Sequence, residues 1–112
     1  GFFGSFLKNP GSIGAVLPSS VYLSRALIGR LDLQPGELVV EFGPGTGPVT
    51  AVARDLLPKG ARYLGIELEP RFHQLLTKRF PEMDFHLGSA AKVTDILAER
   101  KLPRPTRILS GL

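Results

Sequence analysis

The chain has no cysteine, no tryptophan, one methionine and two histidines. Without cysteine there is no disulfide framework and no thiolate metal site. The two histidines, His73 and His86, read as structural or surface groups, and no metal-ligand spacing is visible. No apolar run approaches the roughly 20 residues that a membrane-spanning helix needs. No charged-then-apolar leader with a cleavage site opens the chain. Internal repeats and low-complexity tracts are missing as well. What remains is 112 residues, 43% hydrophobic and 21% charged, which is the composition of one small globular domain.

Acid is scarce outside the centre. The net charge is +4, unevenly spread. Residues 1–36 carry three basic groups against Asp32, residues 37–70 three against five acids, and residues 71–112 eight against four. An acidic centre thus lies between two basic flanks. A basic excess suits nucleic acid or an anionic membrane surface, and it also serves plain solubility.

One stretch organises the rest: Val39-Val40-Glu41-Phe42-Gly43-Pro44-Gly45-Thr46-Gly47-Pro48. An apolar run from Leu38 reads as a buried strand. An acid and three alternating glycines follow, and a helical pattern begins at Pro48, which suits a first helical turn. Strand, glycine turn and helix bring backbone close to a nucleotide-like ligand, because glycine tolerates positive φ and has no Cβ.

Taken in order, residues 1–17 are rich in Gly, Phe and Pro. Phe2, Phe3, Phe6 and Leu7 cluster beside Lys8, as a lid, an interfacial segment or an arm packed on the core. Ser19 or Ser20 caps an expected helix whose apolar face is Leu23, Ala26, Leu27 and Leu31. Strand one is expected over 38–42, and the next helix buries Val49, Val52, Ala53 and Leu56. Arg62 to Ile66 forms strand two, closing on Glu67. Glu69-Pro70 opens a helix with an expected buried face of Phe72, Leu75, Leu76 and Phe80. Met83 to Leu87 is strand three. A helix over 92–100 turns Val93, Ile96 and Leu97 inward. Arg107 to Ser110 begins strand four. This alternation predicts a doubly wound parallel α/β sheet, with residues 1–36 as an arm and helix and 37–112 as a cofactor-binding half-domain. A sheet that stops in its fourth strand leaves an apolar edge uncovered, so the chain is expected to be the front half of a longer domain.

Three ligands commonly use such a turn. A phosphate-binding loop needs Gly-Lys-Ser/Thr, and Gly47 is followed by Pro48. A dinucleotide turn wants a third glycine where Pro48 stands, which weakens that reading without removing it. S-adenosylmethionine, a cation with a ribose diol and no pyrophosphate, suits an acid such as Glu41 before the glycines. Glu67, twenty residues after Gly47, is placed to accept two ribose hydroxyl protons.

EFGPGTGPVT resembles the first motif of class I S-adenosylmethionine-dependent methyltransferases. FLKNPGSIGAVLPSS, IELEPRF and ILSGL together resemble bacterial phospholipid N-methyltransferases, a group similar to the rRNA adenine dimethyltransferases. The resemblance implies a Rossmann-like fold and S-adenosylmethionine as cofactor, with Glu41, Gly43, Gly45 and Gly47 shaping the methionine and ribose pocket. It implies Glu67 on the ribose hydroxyls and Leu68 against the adenine. Ser89 stands where the family usually has an acid for the adenine amino group, and Ser110 opens the motif lining the methyl-transfer site. The implied acceptor is the amine of phosphatidylethanolamine at a membrane surface. RNA adenine is the alternative acceptor, and cofactor binding without turnover is a third reading. The implied location is the cytoplasm, at the inner face of the membrane for a lipid acceptor.

Overall fold

In the computed structural model the described residues are 15–18, 25, 28 and 33–110. The aromatic cluster near Lys8 and most of the helix expected after Ser19 lie outside them, although Arg25 and Ile28 stand in helical backbone. Five strands are present: β1 (Ala15–Pro18), β2 (Leu38–Phe42), β3 (Arg62–Glu67), β4 (Asp84–Leu87) and β5 (Arg107–Ser110). The helices are α1 (Pro48–Leu56), α2 (Pro70–Arg79) and α3 (Val93–Glu99), the last preceded by a 3-10 turn, Ala90–Lys92.

All pairings are parallel, in the order β1-β5-β2-β3-β4. The central strand β2 is buried along its whole length, as a strand covered on both faces must be. Its side chains alternate. Leu38, Val40 and Phe42 join Leu64, Ile66, Ile108 and the inner face of α3 in one core. Val39 joins Tyr63, Leu109 and residues of α1 and α2 in the other. Helices therefore cover both faces, and the chain reverses direction in the sheet between β2 and β5. This is the Rossmann-like, doubly wound α/β sheet expected from the alternation.

Two expectations need correction. Residues 15–18 are a strand and not irregular arm, and they pair with β5 from Ala15 opposite Arg107 to Pro18 opposite Ser110. β5 is consequently an interior strand, and the uncovered apolar edge expected there does not exist. The second concerns α2. Leu76 and Phe80 are buried, but Phe72 and Leu75 are 39% and 43% exposed. The core beneath α2 is already filled: Phe80 packs against Gly47 and within 6.2 Å of the Phe85 ring, leaving the helix one narrow inward stripe.

Candidate functional site

Parallel strands bring their C-terminal ends to one edge of the sheet, and ligands of such sheets bind there, beside the reversal point. β2 ends in the glycine turn. Gly43 N–H donates to the Ile66 carbonyl at 2.9 Å, and Gly88 N–H donates to the Glu67 carbonyl at 2.9 Å. These two bonds draw the loops after β2, β3 and β4 together.

A cavity of about 370 Å³ opens at this edge, lined by Gly43, Gly45, Glu67, Leu68, Glu69 and Phe72. Glu67 is its polar centre. The side chain is buried, and Oε1 accepts from Gly45 N–H at 2.7 Å while Oε2 accepts from Glu69 N–H at 2.9 Å. A carboxylate has about four acceptor positions, so two remain for a ligand. Gly45 has φ +62°, and a Cβ built there would find only the Gly43 carbonyl, 4.0 Å away. The turn thus presents bare backbone to open space.

Gly47 does different work. At φ +95°, a Cβ there would sit 2.7 Å from Cε2 of Phe80 and 3.2 Å from Leu76. Its missing side chain lets α2 pack against the turn, which is the close-packing role of a third glycine in such motifs. Arg79 then closes the turn from outside. It donates to the Thr46 carbonyl at 2.7 Å, and its guanidinium lies 4.9 Å from the Phe80 ring centre.

Glu41 lies beneath the turn, outside the cavity lining. It is 1% exposed, and its Oε1 accepts from Tyr63 hydroxyl at 2.6 Å and Thr50 hydroxyl at 2.7 Å. Burial pushes its carboxyl above the ordinary range, against the pull of those two hydroxyl bonds. Burial, then the charge of Glu41, pushes the Tyr63 phenol well up, so that it stays a donor. Glu41 therefore ties β2 to α1 and β3 below the loop.

Ser89 follows β4 at the same edge, half-buried, and its hydroxyl oxygen accepts from Ala91 N–H at 3.1 Å. Ser110 ends β5, buried and opposite Phe42, on the other side of β2 from Glu67. Glu69 and Phe72 were not among the residues singled out from sequence. Glu69 contributes through its backbone, which no residue type signals. Phe72 was hidden by its membership of an apolar helical spacing.

The histidines sit apart from the cavity. His73 Nε2 donates to the Phe85 carbonyl at 3.2 Å, and Arg100 Nε donates to His86 Nδ1 at 2.8 Å. Burial and the Arg100 charge hold His86 below its ordinary value. Among the described residues there is no cluster of three or more metal-ligating side chains. A second cavity, about 380 Å³, lies at the opposite edge between the end of α1 and the starts of β3 and β4. Its lining mixes Arg54, Lys59 and Arg62 with Glu82 and Asp84 around the Gly60 turn, at the edge away from the C-terminal ends of the strands.

No protein-family model matches the chain. An ornithine lipid N-methyltransferase of Singulisphaera acidiphila is 34% identical over 114 residues, covering 99% of this chain and 59% of that protein. A dimethyladenosine transferase of Chaetomium thermophilum is 38% identical over 96 residues, covering 80% of this chain and 21% of that protein. The structure of Aeropyrum pernix fibrillarin with natively bound S-adenosyl-L-methionine superposes with a TM-score of 0.52 at 22% identity, over 69% of this chain and 36% of that one. The chain has the fold of class I S-adenosylmethionine-dependent methyltransferases. It spans little more than half the length of the lipid methyltransferase it resembles.

Proposed function

We propose that the chain is the cofactor-binding part of an S-adenosylmethionine-dependent N-methyltransferase whose acceptor is the amine of a membrane lipid. The observation that carries the acceptor is the similarity to a lipid N-methyltransferase along 99% of the chain, including its first 36 residues. Phosphatidylethanolamine is the acceptor suggested by the NPGSIGAVLPSS stretch. The relative points to ornithine lipid. Both present an amine on a lipid headgroup.

The cleft fits the cofactor. Gly43 and Gly45 admit it to the backbone, and Glu67 would accept its ribose hydroxyl protons. Leu68 and Phe72 would flank a flat base, with the Ser89 hydroxyl near its amino group. Ser110 stands at the end of β5, where the acceptor would approach. Glu41 and Gly47 hold the turn in shape from beneath. When bound, the cofactor supplies a sulfonium methyl that a neutral amine takes by in-line displacement. The protein's share is to hold donor and acceptor in line.

A second reading is methylation of adenine in rRNA, favoured by the 38% identity to the dimethyladenosine transferase. The test has two stages. Calorimetric titration of S-adenosylmethionine should show binding that Glu67→Ala weakens about tenfold to a hundredfold, the loss of a charge-assisted acceptor. Methyl transfer from labelled cofactor is then measured to phosphatidylethanolamine and ornithine lipid in detergent micelles and to rRNA. Transfer to lipid amine supports the proposal, and transfer to RNA alone overturns it. Binding without transfer to any acceptor identifies a cofactor-binding unit without turnover.

A further inference from the structure

The large hydrophobic side chains that stand exposed among the described residues are Leu68, Phe72, Leu75 and Leu87, at 70, 39, 43 and 47%. They are not scattered. Leu68 follows the end of β3, Leu87 ends β4 opposite Glu67, and Phe72 and Leu75 lie on the first two turns of α2. Leu68 and Leu87 thus share the edge of the sheet at which the cleft opens, and Leu75 follows Phe72 by three residues on α2. Leu68 and Phe72 line the cleft, so a bound cofactor accounts for part of their exposure. Leu75 and Leu87 do not line it.

The outer face of α2 supplies the second observation. At about 100° per residue, Lys78, Arg71, Leu75, Arg79 and Phe72 fall in that order within an arc of about 120°. No acid lies anywhere in α2, and both ends of the helix carry cations. Arg79 is held by the Thr46 carbonyl. Arg71 has only a 3.6 Å contact with Glu69, and so exposed a pair holds little. Leu75 thus has two available cations on one flank, Arg71 one turn before it and Lys78 one turn after it.

We infer that the outer face of α2 is a docking surface for an anionic bilayer, which sets the cleft mouth against the lipid headgroups. The apolar side chains enter the interface while the cations meet anionic headgroups. Aliphatic residues favour this occupant over RNA, whose bases are gripped by stacking on aromatic rings, and Phe72 is the one ring in the patch. The inference rests on the amino-lipid reading, and its test can fail independently of that reading.

The 112-residue chain is sedimented with vesicles of phosphatidylcholine alone and with about one third phosphatidylglycerol added. Leu75→Ser, the pair Arg71→Ser with Lys78→Ser, and Lys59→Ser at the opposite edge are compared. Binding to the anionic vesicles is expected, falling about tenfold or more with either α2 change and less than about threefold with Lys59→Ser. Cofactor affinity measured on the Leu75→Ser protein should stay at the wild-type value, showing that the fold is intact. No vesicle binding, or binding indifferent to the α2 changes, overturns the inference. So does single-stranded RNA binding that requires the same cations while vesicle binding does not require Leu75. Methyl transfer to lipid in micelles without vesicle binding would spare the acceptor and refute the surface. Vesicle binding that depends on α2 without transfer to lipid would do the reverse.

Discussion

Replacing Tyr63 by Phe removes one hydroxyl and nothing else. The ring keeps its edge contact with Phe85, with centroids 5.8 Å apart at 70°. Lost are the 2.6 Å bond to Glu41 and the 3.3 Å contact with Thr50. A buried hydrogen bond to a carboxylate contributes about 1.5–3 kcal/mol. Thr50 still donates to the same oxygen at 2.7 Å, which keeps the loss near the lower end. About 2 kcal/mol corresponds to a fall in Tm of about 10 °C for a domain of this size. The loss should also depend on pH. The Glu41 carboxyl is raised above 4.5 in the folded protein. Its contribution is therefore full below that value and is lost as pH rises through the folded pKa. Tyr63 favours the ionised form, so deleting its hydroxyl makes the decline with pH steeper. Thermal unfolding of both proteins at about pH 4 and about pH 8 should show a gap that widens at the higher pH. In a Glu41→Gln background the gap should no longer vary with pH. A Tm change below about 2 °C, or a gap equal at both pH values, would refute the reasoning.

Gly65→Ala should destabilise by about 1–3 kcal/mol in urea titrations, because a Cβ there meets Tyr63 Oη and Phe85 Cδ1 at 2.8 Å and Pro44 Cγ at 3.0 Å. Tyr63→Phe should soften that cost by removing the hydroxyl clash, and a cost that does not change would mean that the Phe85 contact dominates. Lys101 closes α3 at φ 56°, with Leu102 N–H on the Leu97 carbonyl and Lys101 N–H on that of Ala98. That is a left-handed helix terminus normally filled by glycine, and Lys101→Gly should raise stability by about 0.5–1 kcal/mol in the same titration.

The features legible in the sequence are those where one physical rule acted alone. β2 was readable because the apolar run Leu38 to Val40 just before a glycine turn admits few other structures, and α1 because its 3.6-residue spacing begins at a proline. β1 was hidden because Ala15-Val16-Leu17-Pro18 is short and ends in proline, and only its pairing with β5 makes it a strand. The alternation of side chains along β2 turns Glu41 away from Phe42 and into the core of α1 and α2. A charge there invites a ligand explanation, but the partners are Thr50 and Tyr63, nine and twenty-two residues away. Hydroxyl groups that far along the chain carry no local signal.

The two faces of α2 show why periodicity alone misplaces residues. Apolar spacing reports that a face is hydrophobic, but not what lies against it. Leu75 and Leu76 are adjacent in sequence and alike in chemistry, yet one is 43% exposed and the other fully buried. The difference is set by Gly47, whose bare Cα lets Phe80 and Leu76 into the turn and so fixes the rotation of the helix about its axis. The glycine that reads as a ligand contact thus decides which side of α2 the solvent sees. Gly45, two residues earlier and also at positive φ, is the one that faces open space. One motif therefore does two jobs at once, opening the cleft and orienting the helix whose outer face carries Arg71, Leu75 and Lys78.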